Sequence, residues 1–168
     1  MTDWLGICRA ARDDVDTVLA RMPTRAQREP KVGEGEGGDD TTAVDAAAEK
    51  AILNRFRGED VRIVSEEVGI EGDGRWTVVV DPIDGSLNAK RGIPFFSLSI
   101  AIADGESMRD VVLGYVYDFG SGEEWVARRG EGVELNGEPL RAEPPRERIE
   151  ILSFEATLTS GLLFHPVD

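Results

Sequence analysis

The chain has very little cysteine and histidine among its 168 residues. Its one cysteine, Cys8, lies on an apolar helix face, which excludes a disulfide framework and is typical of a reducing cytoplasm. We expect Cys8 to be a small buried hydrophobic residue. The one histidine, His165, lies near the chain end, where a lone side chain is more often exposed than a metal ligand.

Long apolar runs are also missing, since no segment approaches the about 20 residues that a membrane-spanning helix needs. The segment Met1–Ala10 carries Asp3 and no basic cluster, so no signal peptide is predicted. The sequence therefore predicts a single soluble domain in the cytoplasm.

Basic residues are few compared with acidic ones. The sequence has 19 Lys and Arg against 33 Asp and Glu, for a net charge of −14, which excludes a general binder of nucleic acid or of anionic membranes. Only three of the basic residues are lysines: Lys31, Lys50 and Lys90. Such a surface favours a protein that works at high salt, and an acidic protein of an ordinary cytoplasm is the alternative.

A β-branched run, Val78–Val80, is typical of a strand that is buried on both faces. Asp81 ends the run, and Pro82 cannot donate a hydrogen bond to a neighbouring strand. We therefore predict that the strand stops at this point.

Turn residues follow this strand at Asp84, Gly85 and Ser86. The backbone amides of Gly85 and Ser86 can form an anion-binding nest. Asp81 and Asp84 thus lie three residues apart beside donors that suit phosphate, and hard oxygen ligands in such a place suit Mg²⁺. The alternative is an Asx-type turn that only closes a strand.

Two further acidic segments lie upstream. Glu66 and Glu67 follow the short apolar run Val61–Val64, so they cap another predicted strand. Thr42 and Asp45 have the spacing of a helix start, and capping that helix is one role for Asp45.

These motifs together resemble the inositol monophosphatase and fructose-1,6-bisphosphatase superfamily of Mg²⁺-dependent, Li⁺-sensitive sugar phosphatases. The resembling stretches are G-D-D-T-T-A-V-D, V-S-E-E, W-T-V-V-V-D-P-I-D-G-S-L-N and G-I-P-F-F-S-L-S-I. The wording is most similar to the archaeal branch, in which one enzyme can serve both inositol monophosphate and fructose bisphosphate. The resemblance spans roughly residues 3 to 140, in order.

The resemblance implies a ligand set for two or three Mg²⁺ ions. Asp81 would bridge two ions ~3.5–4 Å apart. Glu66 and the Ile83 carbonyl would complete the first site, and Asp84 would belong to the second.

The same resemblance implies the other roles at the site. The Gly85 and Ser86 amides would hold phosphate oxygens. Asp45 would accept a hydrogen bond from the Ser86 hydroxyl, and these two catalytic residues together would help to activate the attacking water. Glu67 is a further candidate ligand, although its side chain should project to the opposite face if the strand continues through it.

Residues 24–40 are polar and contain four glycines, which predicts a mobile loop or a simple linker. The resemblance implies a mobile catalytic loop that helps to hold an additional metal. The candidate carboxylates are Glu34, Glu36, Asp39 and Asp40.

Periodicity predicts a helix over residues 3–22, ended by Pro23, and strands over 95–103, 110–117 and 123–128. Asn136-Gly137 predicts a hairpin. The fold class is α+β, and the resemblance implies a layered sandwich with two helices on a large, mainly antiparallel sheet. Residues 1–140 would form the metal-binding domain and 141–168 a divergent or truncated tail, with the second α/β half of longer relatives missing.

The leading function is hydrolysis of a sugar or inositol phosphate monoester, with a homo-oligomer as the expected assembly. A nucleotide-phosphate phosphatase of the same superfamily is one alternative. Another is a non-catalytic metal-binding fragment that needs a second polypeptide, and the isolated 168-residue chain would then be weakly active or inactive.

Overall fold

A computed structural model describes residues 2–35, 40–141 and 148. Within these residues lie four α-helices: α1 Trp4–Arg21, α2 Arg25–Arg28, α3 Ala43–Phe56 and α4 Ser86–Arg91. They also contain ten strands: β1 Lys31–Glu34, β2 Asp40–Thr42, β3 Val61–Ser65, β4 Gly69–Glu71, β5 Trp76–Asp84, β6 Ser97–Ala103, β7 Val111–Asp118, β8 Glu124–Arg128, β9 Gly132–Leu135 and β10 Glu138–Pro139. A short 3₁₀ helix, Met108–Asp110, precedes β7.

Eight of these strands form one sheet in the order β10-β9-β8-β7-β6-β5-β3-β4. Every pair of neighbours is antiparallel except β3 and β5, which run parallel from Val61 opposite Trp76 to Ser65 opposite Val80. Strands β1 and β2 form a separate two-stranded ladder. The predicted α+β class, with helices on a large and mainly antiparallel sheet, is confirmed.

One face of the sheet packs on α1 and α3 to form the core. The predicted N-terminal helix is confirmed as α1, which is capped by Asp3. The middle of its apolar stripe is buried, and so is most of the stripe of α3; the buried apolar helix residues are Cys8, Ala11, Val15, Leu19, Val44, Ala48, Ile52 and Phe56. Burial raises the pKa of the Cys8 thiol to about 12, so this cysteine is an inert core residue, as predicted.

The opposite face of the sheet corrects one expectation. Val79 is 45% exposed between the buried Val78 and Val80, so β5 alternates and is not buried on both faces. Because α1 and α3 pack on one face only, side chains that point the other way stay accessible. Val79 belongs to a row of small apolar residues that crosses neighbouring strands: Val64, Val79, Ala101, Gly114, Ala127 and Val133.

The end of β5 corrects a second expectation, because the strand continues past Pro82 to Asp84. Asp81 pairs with Ser99 and Asp84 pairs with Ser97, so two residues of β5 between these pairs lie opposite one residue of β6. This β-bulge accommodates a proline that has no amide proton to donate. The strand therefore bends at its carboxyl end instead of stopping.

The predicted loop over residues 24–40 has regular structure where it is described. Helix α2 and strands β1 and β2 lie within it, and residues 36–39, which include Asp39, fall outside the described residues. Arg28 explains part of this order, because its guanidinium donates to the carbonyls of Met22 at 2.6 Å and Ala89 at 2.8 Å. The segment is therefore tied to the ends of α1 and α4.

The later strands and the hairpin lie where the sequence predicts them. Strands β6, β7 and β8 confirm the three predicted strands, and Asn136 and Gly137 have φ values of 53° and 81°, the left-handed conformation of a type I′ hairpin turn. The predicted tail, 141–168, and His165 lie outside the described residues apart from Arg141 and Arg148.

The acidic surface leads to a prediction about salt. With 33 acidic against 19 basic residues, repulsion between like charges destabilises the folded chain at low ionic strength. We expect the melting temperature to rise steadily from about 0.1 M to about 2 M KCl, since added salt shortens the screening length. Thermal melts monitored by circular dichroism measure this. A flat or falling profile would contradict an adaptation to high salt.

Candidate metal centre

The carboxylates that the sequence singled out meet at one edge of the sheet. Since β3 and β5 are parallel, their carboxyl ends lie side by side, which brings Glu66 and Glu67 next to Asp81 and Asp84. A cavity of about 410 Å³ opens there. Its lining residues are Asp40, Asp45, Glu66, Glu67, Asp81, Ile83, Asp84, Gly85, Ser86, Leu87 and Lys90.

The bulge in β5 determines how the strand presents its polar groups. The Ile83 side chain is buried in the core, while Asp84 is exposed and Asp81 is half-buried. Because the bulge adds a residue between them, Asp81 and Asp84 both line the cavity although they lie three positions apart on a strand.

Two oxygens in the cavity wall have no hydrogen-bond partner. Among the described residues, the buried side-chain oxygens without a hydrogen-bond partner are Asp45 Oδ1 and Asp81 Oδ1. Leaving such a group unsatisfied costs about 1–3 kcal/mol, so an external partner would be bound favourably. Burial, followed by the charges of Glu66 and Asp84, raises the pKa of Asp81 to about 6.

The atoms in this wall that could bind a metal are carboxylate and carbonyl oxygens, the ligands that Mg²⁺ and Ca²⁺ prefer. In the part of the chain that is described, no three side chains of His, Cys, Asp or Glu are close enough together to enclose an ion. Repulsion between neighbouring carboxylates, which also raises the pKa of Asp81, opposes a tighter arrangement. The chemistry of the donor set fits a hard cation, whereas closed coordination is not formed.

Asp45 caps its helix. Its Oδ2 accepts hydrogen bonds from the Thr42 amide at 3.1 Å and the Thr42 hydroxyl at 2.5 Å, while its Oδ1 has no hydrogen-bond partner. The expected hydrogen bond from Ser86 is not formed, because the Ser86 hydroxyl donates to the Ile83 carbonyl at 3.0 Å. The Ile83 oxygen keeps a second lone pair for another partner.

Glu67 lies on the same side as Glu66. Strand β3 ends at Ser65 and a turn follows, so the alternation that would have sent Glu67 to the opposite face does not apply. The Thr41 hydroxyl donates a hydrogen bond to Glu67. Burial is the main reason why the pKa of Glu67 is raised, while that hydrogen bond acts in the opposite direction.

The candidate phosphate cradle begins at Gly85, which has a φ of +93°. A Cβ at this position would be strained by the positive φ and would lie only 3.0 Å from the Phe95 carbonyl oxygen, so the conformation favours glycine and the space is tight. Ser86 then starts α4, a helix that the sequence analysis missed. That helix also places Lys90, one turn after Ser86, in the cavity wall. Residues four apart share one face of a helix, so the spacing of Ser86 and Lys90 could have indicated that Lys90 lies near the phosphate cradle.

The raised pKa of Asp81 predicts an inverse dependence of stability on pH. Its value of about 6 in the folded chain compares with about 3.9 in an unfolded one, so between pH 4 and 6 the folded chain binds more protons. Stability should therefore fall as pH rises through this window, by no more than about 1–2 kcal/mol because solvent screens a half-buried group.

Urea unfolding at about pH 4.5 and about pH 7, without divalent metal, measures this dependence. The substitution Asp81→Asn is the control, because it should remove most of the difference between the two pH values. An equal pH dependence in wild type and in Asp81→Asn would show that another group is responsible.

A scan against protein-family models matches residues 6–162 to the inositol monophosphatase family. The chain belongs to this family. A fructose-1,6-bisphosphatase/inositol-1-monophosphatase of Archaeoglobus fulgidus is 37% identical over 164 residues, covering 98% of this chain and 61% of that protein. Its counterpart in Thermococcus kodakarensis is 43% identical over 124 residues, covering 73% and 47%.

The fold of the inositol monophosphatase family is also seen in solved structures. A crystal structure of an inositol monophosphatase–fructose 1,6-bisphosphatase matches with a TM-score of 0.77 at 29% identity, over 86% of this chain and 57% of that one.

A Nus factor SuhB of Haemophilus influenzae is 35% identical over 153 residues, covering 88% of this chain and 55% of that protein. The chain thus spans about half to three fifths of the length of these family members. In the described residues, no helix has both the length and the apolar character of a membrane span.

Proposed function

We propose that this family member is a Mg²⁺-dependent phosphomonoesterase that hydrolyses inositol monophosphate, fructose 1,6-bisphosphate or both. The observation that carries the proposal is the unpartnered Asp81 Oδ1 in a wall of carboxylates beside Gly85 and Ser86. A buried acceptor without a donor, surrounded by other acceptors, is suited to a cation. The names of the archaeal relatives support the substrate class.

The proposed metal ligands are Glu66, Asp81, the Ile83 carbonyl and Asp84, with Glu67 and Asp40 as further candidates and Asp39 outside the described residues. Two or three Mg²⁺ ions held there would polarise the phosphoryl oxygens and make a bound water more acidic.

The remaining groups act on the substrate. The amides of Gly85 and Ser86 orient the phosphate, and Lys90 adds a positive charge in the same wall. Asp45 Oδ1 accepts a proton from the attacking water, while its Oδ2 stays bound to Thr42. Inhibition by Li⁺, a homo-oligomeric state and a cytoplasmic location belong to the same proposal.

A second candidate function is non-catalytic participation in a larger assembly. It is favoured by the similarity to proteins named Nus factor SuhB, such as that of Haemophilus influenzae. Since the net charge is −14, such a role would use protein partners instead of direct contact with nucleic acid.

Release of phosphate from inositol monophosphate and from fructose 1,6-bisphosphate tests the proposal. The assay uses the 168-residue chain alone, and also fused to the part of the Archaeoglobus protein that the alignment does not cover. We expect Mg²⁺-dependent, Li⁺-sensitive release from the fusion and weak release from the chain alone, with Asp81→Asn as the blank. A fusion that binds Mg²⁺ but releases no phosphate from either substrate would favour the non-catalytic function.

A further inference from the structure

Glu49 is a buried acidic residue that the proposed chemistry does not use. It lies one turn after Asp45 on α3, and the two residues are only 4% and 3% exposed. Acidic side chains are almost never fully buried unless they are paired, because losing hydration is costly. The contacts of Glu49 therefore indicate what it does.

Glu49 accepts two hydrogen bonds from the turn that carries Glu66 and Glu67. Its Oε1 accepts a hydrogen bond from the Ser65 hydroxyl at 2.5 Å and another from the Val68 amide at 3.1 Å. Ser65 ends β3, and Val68 is the last residue before β4. One oxygen of Glu49 thus holds the turn at both ends.

Glu49 does not line the cavity that contains Glu66, Asp81 and Asp84, called the metal cavity below. It lines a separate cavity of about 410 Å³ between α3 and the β3–β4 hairpin, together with Leu53 and Val68. Glu66 and Glu67 line the metal cavity, and the Thr41 hydroxyl donates a hydrogen bond to Glu67 there. The turn is therefore held by Glu49 from behind and by Thr41 from the side of the metal cavity.

We propose that Glu49 is a positioning residue that fixes the Ser65–Val68 turn so that the Glu66 carboxylate is held toward the metal cavity. This inference rests on the proposed metal-dependent function. Groups that orient metal ligands typically change metal affinity by about 10–100-fold when they are removed. Because Asp45 and Glu49 share one helix face, α3 would set both the Asp45 acceptor and the Glu66 ligand.

Mn²⁺ titration at a temperature where each variant is folded measures the effect. Glu49→Ala should weaken Mn²⁺ binding by about 10–100-fold. Glu49→Gln keeps an oxygen that can accept both hydrogen bonds, so it should stay within about threefold of wild type. Lys50→Ala, at an exposed neighbour on α3, is the matched control and should not change the affinity. Ser65→Ala, which removes one donor, should give an intermediate loss.

A second background distinguishes positioning from a general loss of stability. If Glu49 acts through Glu66, then Glu49→Ala should have no further effect on Mn²⁺ affinity in a Glu66→Gln chain. An equal loss in both backgrounds would overturn the proposal, and so would a wild-type affinity in Glu49→Ala.

Hydrogen exchange of the Val68 amide, measured without metal, separates this inference from the proposed function. Glu49→Ala should speed that exchange at least about tenfold, whereas Glu49→Gln should not. If wild type binds no Mn²⁺, the proposed metal-dependent function fails, and the exchange rate still decides whether Glu49 holds the turn. Unchanged exchange in Glu49→Ala would overturn that hold.

Discussion

Replacing Asp81 by asparagine should abolish metal-dependent stabilisation and, at the same time, raise the melting temperature of the metal-free chain. The two effects have one cause, since Asp81 Oδ1 is buried without a partner and its pKa is raised by burial and by the charges of Glu66 and Asp84. Removing the charge relieves repulsion that a cation would otherwise neutralise. A residue that served only the fold would not show this pair of opposite effects.

The expected size of each effect follows from these contacts. Loss of a group that only orients a ligand costs about 10–100-fold in affinity or activity, so loss of a proposed bridging ligand should exceed about a hundredfold. Metal-free stability should rise by about 1 kcal/mol, which corresponds to about 2–4 °C for a chain of this size. In wild type, Mg²⁺ at about 100 times its dissociation constant should add about 2.7 kcal/mol.

Melting curves with and without Mg²⁺, together with phosphate release, measure these effects. Asp104→Asn is the matched control, because Asp104 lies just after β6, is exposed and pairs with Arg75. If Asp81→Asn keeps the metal response and lowers the metal-free melting temperature, then Asp81 is a structural residue and the proposed site is wrong.

The second large effect concerns stability alone, and we expect Glu124→Ala to destabilise the chain by about 2–3 kcal/mol. Glu124 joins α1 to the sheet. Arg9 donates to both of its carboxylate oxygens, at 2.7 Å from Nη2 and 3.1 Å from Nε, and the buried Tyr115 hydroxyl donates to Oε2 at 3.1 Å. The hydrogen bond from Arg9 is the main reason why the pKa of Glu124 is lowered.

The cost arises because the partners of Glu124 would lose their acceptor. The Tyr115 hydroxyl would be left buried and unpaired, whereas Arg9 is 44% exposed and can be rehydrated, so the loss stays below that of a fully buried ion pair. Urea unfolding gives the free energies. Tyr115→Phe should cost about 1 kcal/mol, and Glu131→Ala, at an exposed position, should lie within about 0.5 kcal/mol of wild type. Equal stability of Glu124→Ala and Glu131→Ala would refute the role of this network.

The sequence predicted the parts of the site that depend on local pattern. Asp81, Asp84, Gly85 and Ser86 lie within six consecutive residues, and their residue types alone indicate a turn with carboxylates beside an anion-binding nest. The hairpin at Asn136-Gly137 was predictable for the same reason, since its φ values depend on two adjacent residues.

The features that the sequence did not predict depend on contacts between distant residues. The exposure of Val79 depends on which face of the sheet α1 and α3 cover, and a β-branched run does not report that. The bulge at Pro82 depends on how β5 pairs with β6. The hold of Glu49 on the turn joins residues 16 and 19 positions apart, so periodicity along α3 shows only that Glu49 shares a face with Asp45.

The order of the strands has a consequence for how the chain folds. From β5 to β10 each strand pairs with the next one along the chain, so this part of the sheet can form by closing short loops. By contrast, the contact of Arg9 with Glu124 joins residues 115 positions apart. Closing that long loop is slow, and the stabilising contact that results can form only once the sheet exists. Helix α1 should therefore dock after the sheet has formed, so that substitutions at Arg9 speed unfolding and leave the folding rate nearly unchanged.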